Sequence, residues 1–111
     1  MNKENIKKWI DALRSGDYMQ GSGWLHNVKE NEYCCLGVAC ELAIRDGVDV
    51  RVEVCGDFCS YDGSTTALPM SVISWLGVNG SNPLSAIEMN DERGMSFDEI
   101  ANVIEEDAYI S

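Results

Sequence analysis

Residues 48–61 read Val48-Asp49-Val50-Arg51-Val52-Glu53-Val54-Cys55-Gly56-Asp57-Phe58-Cys59-Ser60-Tyr61. Valines alternate with Asp49, Arg51 and Glu53, a period of two that predicts a β-strand with its β-branched residues on one face. Gly56-Asp57 offers a tight turn into a return strand at Phe58–Tyr61, and Asp62-Gly63 closes the segment. The segments on either side carry helical periodicity instead. A hairpin set among amphipathic helices predicts an α+β domain: a small, twisted, mainly antiparallel sheet packed against an N-terminal helix, a Cys-containing helix and C-terminal helices.

Upstream, Ile6, Trp9, Ile10 and Leu13 recur at i, i+3, i+4 and i+7, one apolar stripe of a first helix with Trp9 inside it. Asn2 suits its N-cap and Gly16 its stop. Short extended pieces are expected at Tyr18–Gln20 and Trp24–Val28, separated by Gly21, Ser22 and Gly23. A polar turn over Lys29–Glu32 leads to a strand at Tyr33–Cys35. A helix over Gly37–Arg45 follows, with Val38, Ala39, Leu42 and Ala43 apolar and Gly47 as its left-handed stop. Downstream, Pro69 suits the first residue of a helix to about Leu76, with Met70 and Ile73 inward and Gly77 as its end. Asn79-Gly80 reads as a turn, and Leu84–Met89 as a short extended segment. Ser96 and Glu99 form a capping box for the last helix, with Met95 and Ile100 as its hydrophobic staple. Phe97, Ile100, Ala101 and Ile104 mark its buried face. Glu105, Glu106 and Asp107 crowd its C-terminal turn, where the macrodipole disfavours negative charge, so that end frays unless something basic contacts it.

At 111 residues the chain is one domain, residues 1–111, able to bury roughly two-thirds of its unfolded surface. Its apolar runs are too short to span a bilayer. Asn2-Lys3-Glu4 begins no apolar signal region, so a cytoplasmic location is expected. Eight basic against nineteen acidic residues leave a net charge of −11. Such a surface repels duplex nucleic acid and anionic membranes. A nucleotide would need a pocket that concentrates the few cations. The five cysteines (Cys34, Cys35, Cys40, Cys55 and Cys59) include no Cys-x2-Cys pair and there is a single histidine, so buried reduced thiols are favoured over zinc and no metal or other cofactor is expected. Because Trp24, Trp75 and Met70 are hard to hide in so small a core, a homo-oligomer, most simply a dimer, is expected.

The catalytic inventory is thin. His26 has no nucleophile-elbow sequence to accompany it, and Gly21-Ser22-Gly23 lacks the lysine and helix of a phosphate loop. Asp57 with Asp62 has the residue types of an acid–base pair without a distinguishing spacing. One constellation joins aromatic, amide and cation. Trp24, with Tyr18, offers a ring for stacking. Asn90 and Asp91 suit a base edge or ribose, and Arg93 stands three residues before the capped helix start, an anion-attracting position. Arg14 and Gln20 are the second candidates.

Trp9-x-x-Ala12-Leu13-Arg14-Ser15-Gly16-x-Tyr18-x-Gln20, then Tyr33-Cys34-Cys35-Leu36-Gly37-Val38-Ala39-Cys40, then Leu68-Pro69-x-x-Val72-x-x-Trp75-Leu76-Gly77, Asn90-Asp91, and Ser96-Phe97-x-Glu99-Ile100-Ala101-x-x-Ile104-Glu105 run through the chain. Together they resemble a widespread set of small phage and prophage proteins, over nearly the whole length. The chain departs from that pattern after Asn90-Asp91, where Glu92-Arg93-Gly94 lengthens the loop. In size and genetic class, though in no matching motif, it is similar to the sponges that sequester the cyclic ADP-ribose signals of Thoeris defence. The expectation is a non-catalytic anti-defence protein of the infected or lysogenic host's cytoplasm that holds a nucleotide-derived signal. The alternatives are an acidic protein that occupies a basic site on a host protein, or a small hydrolase of the same nucleotides.

Overall fold

A computed structural model describes residues 3–21, 24–77 and 95–109. Within them the chain is α+β. Helix α1 (Lys3–Ser15) is followed by β1 (Met19–Gln20), β2 (His26–Asn27), β3 (Glu32–Tyr33), α2 (Cys35–Arg45), β4 (Val52–Cys55), β5 (Phe58–Tyr61), α3 (Met70–Leu76) and α4 (Phe97–Tyr109). The five strands form one sheet in the order β1-β3-β2-β5-β4. All pairs are antiparallel except β1 with β3. Helix α1 packs chiefly on α4 and also meets α2 and α3.

The predicted stripe of α1 is the centre of the core: Ile6, Trp9, Ile10 and Leu13 are all buried. Trp9 satisfies its indole by donating to the Cys35 carbonyl at 2.8 Å, which ties α1 to the first turn of α2. Asn5, also buried, donates to the Trp75 carbonyl at 2.7 Å. The Trp75 indole donates to Asp46 at 2.8 Å, and that bond, followed by the Lys8 ammonium, holds the Asp46 carboxyl below its ordinary value. Gly16 takes a φ of 80° and ends α1.

Helix α2 begins two residues earlier than the sequence suggests, with Cys34 as an extended N-cap. Gly37 therefore lies inside the helix, where glycine costs about 1 kcal/mol relative to alanine. Its purpose is steric: a Cβ at Gly37 would sit 1.8 Å from the Leu25 carbonyl oxygen. Leu25 is fully buried, its carbonyl accepts from the Cys34 amide at 3.3 Å and its amide donates to Thr65 at 2.7 Å. At the other end, Gly47 (φ 95°) donates to Ile44 and Val48 to Ala43, the paired bonds of a Schellman stop.

The hairpin forms as read, Cys55 facing Phe58 across Gly56-Asp57, with Gly56 at φ 66°. Two expectations fail. The alternation starts at Val48, yet the strand begins only at Val52, and Val52 and Val54 stand 44% and 64% exposed. They share a face with the buried Tyr61 and Cys59, so the sheet extends past the layer that covers it. Met70 is likewise 71% exposed, because Pro69 acts as N-cap and the inward face of α3 is Val72, Ile73, Trp75 and Leu76. The capping box of α4 forms, with Glu99 N–H donating to Ser96 Oγ and Ser96 N–H to Glu99 Oε1, both at 3.2 Å. Asn2, Ser22, Gly23, Asn79-Gly80 and Leu84–Met89 lie outside the described residues.

Replacing Gly37 with Ala should destabilise the fold by about 3 kcal/mol or more, since the added methyl meets backbone rather than a side chain that can move. Denaturant unfolding will show it as a lower midpoint at unchanged slope.

Candidate functional site

The chain leaves α1 at Gly16 and reaches β1 in three residues, with Ser15 Oγ accepting the Asp17 amide at 3.1 Å. This short passage brings Arg14, Tyr18 and Gln20 against the start of α4. Gln20 joins the two directly: its Nε2 donates to the Met95 carbonyl at 2.6 Å and its Oε1 accepts the Phe97 amide at 3.0 Å. Between them opens a cleft of about 240 Å³, walled by Leu13, Arg14, Tyr18, Gln20, Phe97 and Asp98.

Its electrostatics are mixed. Arg14 reaches along α4, donating to Glu105 at 3.1 Å and 3.3 Å and to Asn102 at 2.6 Å. This supplies the basic contact that the acidic end of α4 requires. The Arg14 bond holds the Glu105 carboxyl below its ordinary value and raises the guanidinium further. Gln20 occupies the Phe97 amide and Ser96 the Glu99 amide, so the helix N-terminus is largely satisfied from within. Asp98 adds a negative charge to the wall. The Tyr18 hydroxyl is buried and has no hydrogen-bond partner among the described residues. Such an orphan is worth about 1–3 kcal/mol to whatever satisfies it.

From Tyr18 a row of rings crosses the sheet. Tyr18 meets Tyr33 edge to face at 5.3 Å, and Tyr33 stacks on His26 at 4.0 Å with an interplanar angle of 9°. Tyr61, fully buried, donates to Glu41 at 2.8 Å and lies 3.5 Å from His26 Nδ1. Glu41 and Arg45, one helical turn apart on α2, bracket the row, with Arg45 5.9 Å from the Tyr18 ring centre. Burial, reinforced by the Glu41 charge, pushes the Tyr33 phenol up to about 12 and raises Tyr61 as well.

Of the residues singled out from the sequence, Arg14 and Gln20 meet in the cleft. Trp24 is elsewhere: it is 39% exposed and stacks on Phe58 with ring centres 3.9 Å apart. Asn90, Asp91 and Arg93 lie outside the described residues. Asp62 has a structural part, accepting from the Arg51 amide and the Ser71 hydroxyl, each at 2.8 Å. Cys34, Cys35, Cys40 and Cys59 are buried and Cys55 is exposed; the hairpin register puts Cys55 and Cys59 on opposite faces. Burial drives the Cys40 thiol well above its ordinary value. Among the described residues no group of three or more His, Cys, Asp or Glu side chains is placed to hold a metal ion, and no helix is long and apolar enough to cross a membrane. Glu41 and Tyr61 are functional candidates that no pattern in the sequence singles out. The nearest signal is a lone carboxylate interrupting the apolar surface of α2.

The fold and cleft define a small α+β domain with an open polar and aromatic recess. Residues 1–108 match the family described as "Domain of unknown function (DUF8296)", and the chain belongs to that family. No curated protein and no solved structure gives a significant match.

The ring row predicts an alkaline weakness. A phenol whose folded value lies above its unfolded value of about 10 contributes stability that is intact below pH ~10 and lost as pH rises toward ~12. Tyrosinate absorbance and circular dichroism should move together in that window, and Tyr33→Phe should reduce the loss.

Proposed function

We propose that this chain is a phage accessory protein that binds and sequesters a nucleotide-derived host immune signal of the cyclic ADP-ribose type without cleaving it. The observation that carries the reading is the cleft between the end of α1 and the start of α4. Tyr18 and Phe97 offer ring surface, and Asp98 offers an acceptor suited to ribose hydroxyls. At about 240 Å³ the recess takes one moiety of such a ligand, below the ~300–1,000 Å³ of a site that encloses a whole drug-sized molecule. The phosphate side falls to Arg14, which must exchange Glu105 for the ligand, and to Arg93, with Asn90 and Asp91 as further contacts. These three belong to the stretch that rejoins the described chain at Met95, whose carbonyl Gln20 holds. The half-exposed Trp24–Phe58 stack is a second ring platform. This activity implies the cytoplasm of the infected or lysogenic host.

A second reading, hydrolysis of the same nucleotides, draws on the Glu41–Tyr61–His26 contacts, the nearest thing to a proton-carrying chain among the described residues. Chromatography of the ligand after heat release separates the two, since sequestration returns it intact.

Isothermal titration against cyclic ADP-ribose isomers and cyclic dinucleotides should give heat with at least one. Arg14→Ala should weaken binding about tenfold. Glu105→Gln, which frees the guanidinium, should tighten it a few-fold. Silence across the whole panel would count against the proposal.

A further inference from the structure

We infer that β4 is a self-association edge, at which two copies of this chain join their sheets antiparallel about a two-fold axis through Val52. Such pairing does not depend on what the cleft binds.

The Asp62 amide donates to the Arg51 carbonyl at 2.7 Å, and β4 pairs with β5 in the register Val52–Tyr61, Glu53–Ser60, Val54–Cys59 and Cys55–Phe58. Antiparallel ladders alternate, so Arg51, Glu53 and Cys55 turn their N–H and C=O groups toward β5 while Val52 and Val54 turn theirs outward. β4 is the last strand of the sheet, and no described residue bonds those outward groups. Natural edges are blunted by proline, bulges, shortness or charge; β4 contains no proline, and the charges at its edge, Arg51 and Glu53, are of opposite sign. Here the outward edge is flanked by two exposed valines on the face that buries Tyr61 and Cys59. The strongest alternating stretch of the sequence thus ends on the surface, ready to be continued.

Charge selects the occupant and the register. An axis through Glu53 would set Glu53 against its own copy. One through Arg51 would oppose like guanidinium groups and bring Asp49 against Glu53. One through Val54 would run Val52 into the Gly56 turn. Only the axis through Val52 is complementary. It places Arg51 opposite Glu53 of the second copy, twice by symmetry, and Val50 opposite Val54. Those charged positions become non-hydrogen-bonded pairs, where side chains approach most closely. Within one chain Arg51 already bonds Glu53 on that face, so the four charges would alternate in sign across the seam. In a chain of net charge −11, this local alternation is what permits two copies to meet there.

Analytical ultracentrifugation of the full chain over the micromolar to millimolar range tests this. The wild type should be a monomer–dimer equilibrium. Arg51→Glu and Glu53→Arg, each of which turns two attractions into two repulsions, should weaken the dimer about tenfold or more. The double variant should restore it to within a few-fold of the wild type. Val54→Lys, which alters an exposed side chain, should give a monomer whose circular dichroism matches the wild type, guarding against misfolding of the charge variants. A wild type that stays monomeric throughout overturns the inference, even if the edge captures a strand of another protein. So does a dimer indifferent to the single charge reversals, or one that the double reversal fails to restore.

Discussion

The approach of α2 to Leu25 is the contact on which the rest of this structure depends. Leu25 gives its carbonyl to the Cys34 amide and its amide to Thr65, and a side chain at position 37 has no room beside it. The helix can close on that backbone only because residue 37 is glycine. Once it does, the Cys35 carbonyl receives the Trp9 indole, and α1 is locked to α2 through the centre of the core. Tyr33 and His26 then fall beneath the side of α2 that carries Glu41 and Arg45, and the chain leaving α1 is aimed at α4. The Tyr-Cys-Cys-Leu-Gly-Val stretch is therefore a packing signature.

The same geometry distributes the scarce positive charge. Arg14 is committed to Glu105 and Asn102, Lys8 to Asp46, and Arg51 to Glu53. No free island of cations lies among these, so any phosphate-bearing ligand must compete with a carboxylate for its guanidinium. Such exchange is feasible at the surface, where solvent screens an ion pair. It would make binding responsive to salt. The cleft itself is better matched to a ring and hydroxyls than to a phosphate.

The α1 stripe, the glycine stops and the α4 cap were legible in the sequence because each rests on local physics, whereas the inward placing of Met70 on α3 was not met. The spacing of Ile6, Trp9, Ile10 and Leu13, the left-handed glycines and the Ser96–Glu99 box require no knowledge of distant residues. The start of α2 was misplaced because Gly37 reads locally as a helix boundary, while its real partner is a backbone carbonyl twelve residues earlier. The valine alternation correctly announced a strand but not its exposure, which depends on how far the helical layer reaches across the sheet. Site residues were the least legible. Arg14 and Gln20 meet through a fold-level juxtaposition of α1's end with α4's start, and the Glu41–Tyr61 bond joins residues on a helix and a strand that no local pattern connects. Trp24, chosen as a free ring, has Phe58 as its partner.

The account's central claim is that a ligand seats between the end of α1 and the start of α4. Amide chemical-shift mapping during titration with cyclic ADP-ribose isomers tests it most directly. The account predicts the largest shifts at Tyr18, Gln20, Phe97 and Asp98, with the β4 edge at Val52–Cys55 unmoved. Saturable shifts centred on His26 and Tyr61 instead, with the cleft silent, would contradict it.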